Sequence, residues 1–544
     1  LLVYNIKMGT IKLSVIFFLL EFTNLSLQHE QIPKARTILG SVSGYYKESR
    51  SEKTYEAYEG IPYAEIPVGE LRFAPPKPVQ KWEYELPAKK KGSICIQYRI
   101  RSGADGDTVS GCEDCLYMNI YVSVRNNTKT LLPVMFWIHG GAYQFGTGND
   151  LDESHLMDKS IVLVTFNYRV GPFGFLSTGD NVVPGNMGLK DQSMALRWVS
   201  DNIENFGGNP KDVTLIGFSS GGMSVHYHYL SPLSAGLFQR GISISGTALN
   251  PRAQTKRASE KAKKLAAAVG CPTDSSSKMI DCLKKRPPRL ISQNVDKLLV
   301  WLNNPASPFG PVVEKQGSSP FISRSPMEII TLGEVQDVPW ITGVVGEDGI
   351  FQAADFIEND ELLKYLNDNW DDIAPYLLNY NDTIPLWEHK EVAEKIRNDR
   401  SYGVGMATAV KLHAKVNKNP VWSYYYTYKI KEDLSFTNKF GVAHGDDIYL
   451  VINKGASNIK NSEDLAMQQL LIDFYTSFAI EGKSRVGDAK WQSLKSGEDN
   501  LHYLHIADAK NVKMESNGNF AKRILMKKDI YICRKSAGIR VVGV

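Results

Sequence analysis

Gly217-Phe218-Ser219-Ser220-Gly221 places one serine between glycines two residues away on either side. Such a serine can sit on a sharp turn between a strand and a helix, because only small neighbours fit where the two crowd together. The turn exposes the hydroxyl, and the helix start behind it favours negative charge. Ser219 is therefore a candidate nucleophile. A nucleophilic serine needs a base, an acid to orient that base, and donors for the developing oxyanion. His139-Gly140-Gly141-Ala142 offers small residues whose N–H groups can point into a cavity. Glu347-Asp348 supplies adjacent carboxylates in a turn, and His444 lies in the glycine-flanked loop Gly441-Val442-Ala443-His444-Gly445.

The elements around these residues must hold them. Val213, Leu215 and Ile216 predict a buried strand before Ser219, and residues 223–230 a helix after it. Pro133-Val134-Met135-Phe136-Trp137-Ile138 is a continuous apolar run, as expected of a parallel strand buried on both faces. Residues 116–122, 161–169, 240–246, 338–345 and 421–428 read as further strands, and Gly171-Pro172-Phe173-Gly174-Phe175 as a turn. Leu189, Ala195, Leu196 and Val199 form one stripe of a helix over 186–200. Residues 250–420 read as mainly helical, with Lys284-Lys285-Arg286-Pro287-Pro288-Arg289 as a solvated loop, and 465–478 as a closing amphipathic helix. Alternating strands and helices predict an α/β fold with a large, mostly parallel central sheet flanked by helices. The order serine, acid, histidine is that of α/β-hydrolases.

A net charge of +4 over 544 residues, with basic residues dispersed, points away from a nucleic-acid partner. The length alone suggests about three or four domains, and 43% hydrophobic content is ample for a large core. Lys12 followed by Leu13-Ser14-Val15-Ile16-Phe17-Phe18-Leu19-Leu20 has the pattern of a secretory leader and is too short to span a bilayer. Residues 1–27 are read as that leader with upstream residues before Met8, and the chain as secreted without a stable membrane anchor. Six cysteines fit that compartment. Cys271 and Cys282 can close one short loop and Cys95 and Cys115 another, leaving Cys112 and Cys533, although other pairings are open. Sequons stand at Asn126 and Asn381.

Several stretches together resemble the type-B carboxylesterases of the cholinesterase/carboxylesterase family, and the style is that of an insect esterase. They are Glu113-Asp114-Cys115-Leu116-Tyr117-Met118-Asn119, His139 to Ala142, Asn167-Tyr168-Arg169-Val170-Gly171, Asn186 to Gln192, Phe206-Gly207-Gly208-Asn209-Pro210, Gly217 to Gly222, Gly236-Leu237-Phe238 and His444-Gly445-Asp446. The resemblance spans about residues 35–495. It implies a single α/β-hydrolase catalytic domain, taken as 28–500, with 501–544 a divergent tail. It implies Ser219 as nucleophile, His444 as base and Asp348 as acid, where many relatives carry Glu, with Glu347 the runner-up. It implies an oxyanion hole from the N–H groups of Gly141, Ala142 and Ser220, disulfides Cys95–Cys115 and Cys271–Cys282, and an Arg72–Glu113 ion pair.

The implied reaction is hydrolysis of a small-molecule carboxylic ester through an acyl-enzyme, with no cofactor and no metal. The segment between Cys95 and Cys115 contains no tryptophan, which argues against choline esters, since the related acetylcholinesterases hold the ammonium group on one there. A general or xenobiotic ester is the leading expectation. Phe218 stands where juvenile hormone esterases commonly carry Gln, which ranks a hormone ester lower. A non-catalytic binding or adhesion protein of the same fold is the competing class.

Overall fold

The computed structural model describes residues 32–99, 107–124, 130–299, 307–315, 319–349, 402–432, 441–498 and 500–516. The expected leader, both sequons and Cys533 lie outside them.

The main sheet has eleven strands: β1 (Tyr45–Glu48), β2 (Thr54–Pro62), β3 (Tyr117–Ser123), β4 (Leu132–Ile138), β5 (Val162–Phe166), β6 (Gly208–Phe218), β7 (Arg240–Ile244), β8 (Trp340–Val345), β9 (Val421–Tyr426), β10 (His502–Asp508) and β11 (Asn511–Ser516). Their spatial order is β11-β10-β9-β8-β7-β6-β4-β5-β3-β2-β1. Every pairing from β5 through β10 is parallel, and antiparallel strands close both edges. The mostly parallel sheet expected from the apolar runs is thus present, and its parallel part explains why those runs are continuous. In β4, Val134, Phe136 and Ile138 face one core while Met135 and Trp137 face the other. Around β4 the chain steps to β5 on one side and β6 on the other, which opens a crevice beyond the carboxyl ends of β4 and β6.

Helices α1 (Met187–Asn202), α2 (Ser220–Leu230), α3 (Val404–Val416), α4 (Asp446–Ile452) and α5 (Ser462–Glu481) are among those that cover the sheet. Three expectations need correction. Gly171–Phe175 is a short helix, not a simple turn, with Pro172 at its start supplying a preset φ. Helix α5 is not amphipathic: from Leu470 to Ala479 every residue but Asp473 is buried. The basic piece after Lys284 is not a free loop. Arg72 Nη1 donates to the carbonyls of Leu283, Lys284 and Arg286, capping the end of the helix Ser276–Lys285. The boundary expected at residue 500 falls just before β10 and β11, which continue the sheet. No helix among the described residues is long and apolar enough to cross a membrane.

Candidate active site

Ser219 follows the last residue of β6 and caps α2, with φ 59° and ψ −122°. A positive φ is costly for any residue with a Cβ, so the surroundings must hold it. They do so by proximity. A Cβ on Gly217 would lie 2.4 Å from the Gly221 backbone, and one on Gly221 would lie 2.1 Å from the Ile138 carbonyl. Only glycine lets β6, α2 and the end of β4 meet there. The Ser219 N–H donates to the Ile244 carbonyl at 2.8 Å, tying the turn to β7.

Because β4, β6, β7, β8 and β9 run parallel, their carboxyl ends share one edge. Asp348 follows β8 and His444 precedes α4 on that edge. The imidazole Nδ1 of His444 is hydrogen-bonded to Asp348 Oδ1. This assigns the proton to Nδ1 and leaves Nε2 as an acceptor. Asp348 is fully buried, and its other oxygen accepts from Ser245 Oγ at 2.8 Å and from the Val345 N–H at 3.2 Å. The Phe218 ring, one residue from Ser219, stands 4.6 Å from the imidazole centroid, so His444 lies beside the serine turn.

Glu347 points elsewhere. Its N–H donates to the Val442 carbonyl and its Oε2 accepts from the Val442 N–H, both at 2.8 Å. This clasp draws the histidine loop against the acid turn, and so the shorter Asp348 side chain reaches His444. Asp447, on α4, is a third buried carboxyl. Burial first, then the neighbouring Asp348 and Asp446 charges, push it up to about 8 against the opposing bond from Tyr424. The Tyr424 hydroxyl donates to its Oδ2 at 2.7 Å. Asp447 is therefore mostly neutral at pH 7 and adds little negative charge beside Asp348.

Gly140 lies against the serine: a Cβ there would sit 3.1 Å from Ser219 Cβ. The chain then turns through three positive φ values, 113° at Gly141, 55° at Ala142 and 60° at Tyr143. Among the described residues, the amides of Gly141, Ala142 and Ser220 donate to no protein acceptor. The loop is held from outside. Gln97 accepts from the Gly146 N–H at 2.9 Å and donates to its carbonyl at 3.2 Å, Ser307 Oγ donates to the Ala142 carbonyl at 2.6 Å, and the Tyr168 hydroxyl donates to the His139 carbonyl at 2.9 Å.

Gln97 belongs to the loop closed by the Cys95–Cys115 disulfide, and Cys271–Cys282 closes the second loop. Arg72 joins the two, forming a bidentate pair with Glu113 at 2.6 Å while capping the helix that carries Cys282. Cys112 is free, with its thiol donating to the Asp114 carbonyl at 3.2 Å. Ser245, Gln97 and the packing of Phe218 on His444 were not singled out from sequence. Each is an ordinary residue type whose partner is remote in the chain, so nothing local marks it.

A serine on a glycine-built elbow, an Asp-oriented histidine beside it and a loop of undonated amides are brought to one edge of the sheet. The sequence matches a family model described as the carboxylesterase family over residues 31–523. The chain belongs to the carboxylesterase family. Venom carboxylesterase-6 of Apis mellifera is 55% identical, over 96% of this chain and 98% of that protein. A carboxylic ester hydrolase of Bombus ignitus is 57% identical over 94% and 96%. Among solved structures, juvenile hormone esterase from Manduca sexta with OTFP covalently attached superposes with a TM-score of 0.79 at 26% identity, covering 92% of this chain and all of that one. This carboxylesterase has the α/β-hydrolase fold and is a carboxylic ester hydrolase. The family match, like the sheet, runs past residue 500.

Proposed function

We propose that the enzyme hydrolyses small-molecule carboxylic esters through an acyl-enzyme on Ser219. Ser219 Oγ attacks the ester carbonyl as His444 Nε2 takes its proton. Asp348 holds the imidazole and stabilises the imidazolium. The tetrahedral oxyanion is received by the N–H groups of Gly141, Ala142 and Ser220. The alcohol leaves with the proton from His444, and water repeats the cycle to release the acid. The observation that carries this reading is the bond between His444 Nδ1 and buried Asp348, made beside the serine elbow.

The proposed substrate is a neutral general or xenobiotic-type ester. The absence of tryptophan between Cys95 and Cys115 favours it over a choline ester. A hormone ester is the second reading, favoured by the likeness to a juvenile hormone esterase structure. We also propose one catalytic domain behind a cleaved leader, and secretion, with glycans on Asn126 and Asn381. Two disulfides support an oxidising compartment.

The test is hydrolysis of p-nitrophenyl butyrate by the purified secreted protein and its Ser219→Ala variant. Turnover in the parent and none in the folded variant is expected. Absence of turnover in both, with both folded, would make a binding role the leading reading. Competition by juvenile hormone in the same assay ranks the hormone ester.

A further inference from the structure

The imidazole of His444 has its Nδ1 edge on Asp348, and aromatic rings pack against the rest of it. The Phe218 ring lies 4.6 Å away, centroid to centroid, tilted 38°, and the Tyr402 ring lies 4.9 Å away, tilted 37°. Phe218 is itself braced, edge-on to Tyr449 at 5.8 Å. Beneath it, a Cβ on Gly445 would lie 2.9 Å from Phe218 Cζ, so the histidine loop and this ring are in close contact. Phe218 is only 8% exposed, which keeps water off the face it covers.

Resting on the reading of His444 as the base, we infer that Phe218 and Tyr402 form an aromatic clamp that stabilises the imidazolium of His444 in the transition state. The neutral imidazole gains only packing from the two rings. Once it takes the Ser219 proton it becomes a cation whose ring centre lies 4.6 Å and 4.9 Å from two aromatic ring centres at shallow tilt, within the range over which a ring quadrupole attracts a cation. The gain exists only while the proton is on the histidine, so it acts on the chemical step and not on substrate capture. The same holds in deacylation, when the proton comes from water. Position 218 also presents no polar atom to compete with Ser219 for Nε2. Both rings are positioning residues, acting through His444.

The experiment is steady-state hydrolysis of p-nitrophenyl butyrate by the parent and by Phe218→Leu, Tyr402→Leu and Tyr402→Phe, each checked for folding by circular dichroism. Each leucine variant is expected to lower kcat about fivefold, the order of one exposed-site cation–π contact, with KM within about twofold. Tyr402→Phe, which keeps the ring, is expected to recover most of that loss. Parental kcat in the folded leucine variants, or a change confined to KM, overturns the clamp. If Phe218→Leu does not fold, the Tyr402 pair decides alone. A parent without turnover overturns the esterase mechanism and the clamp together, whereas an active parent with indifferent leucine variants overturns the clamp alone.

Discussion

Two neighbouring carboxylates have opposite uses. Asp348 is buried against His444, Ser245 and the Val345 amide, while Glu347 fastens the backbone of the histidine loop. Asp348→Asn keeps the shape but presents an amide to Nδ1, favouring the wrong tautomer. Turnover should fall by on the order of ten-thousandfold. Glu347→Gln keeps an oxygen for the Val442 N–H, so it should cost about 1 kcal/mol of stability or less and leave turnover in place. Comparing kcat for the two variants checks this, and the reverse ranking would exchange their roles. In the sequence the two acids are adjacent, and the family resemblance favours Asp348 with Glu347 as runner-up. The direction of each side chain separates them, and that depends on where residues 442–444 lie, nearly a hundred positions away.

At the scale of elements, the oxyanion loop is shaped by its neighbours more than by its own sequence. Its three positive φ values persist because the loop is pinned at Ala142 and Gly146. The Gln97 pin comes from the Cys95–Cys115 loop, so this disulfide braces the site without touching it. Gln97→Leu should leave the protein folded and lower kcat roughly ten- to hundredfold, because a small displacement of the amides weakens donors that act chiefly in the transition state. KM should change little. A Gln97→Leu enzyme with parental kcat would show that the loop holds itself. The segments expected as strands around the serine all occur, because a strand buried on both faces must be apolar throughout. Helix α5 lacks the two faces that its spacing predicts because its apolar residues sit among polar ones that are also buried, such as Gln468, Thr476 and Ser477.

Across the whole molecule, five buried histidines among the described residues set a common pH response. Burial holds His139 down to about 4 and His228 and His413 down to about 3, and it holds His155 below and His226 well below the usual 6.5. In the unfolded chain each takes up a proton as pH falls through about 6.5, while the folded enzyme does not. Stability is therefore full above that pH and falls with acidification until the folded values are reached, by about 1.4 kcal/mol per pH unit for each histidine. Asp447 runs the other way. Pushed up to about 8, it is already protonated in the folded enzyme, which favours folding as pH falls from there and offsets one histidine. The net expectation is a urea midpoint that drops steadily between pH 6.5 and 5. A midpoint flat over that range would mean that the histidines open to water.

The strand-and-helix alternation, the glycine-flanked serine turn, the small-residue loop after β4 and the family are all legible in the amino-acid order. These follow from neighbours in the chain: an elbow needs glycine where Gly217 and Gly221 stand because backbone from β4 and α2 occupies the space of a side chain. Only folding shows that Glu347 turns to the Val442 amide instead of His444, that Ser245 and Gln97 reach the site, that Phe218 and Tyr402 pack on the imidazole, and that the sheet continues through β10 and β11. Those facts depend on sheet register and on contacts between distant segments. A serine, a glutamine or a phenylalanine carries no local mark of the partner that folding will bring to it.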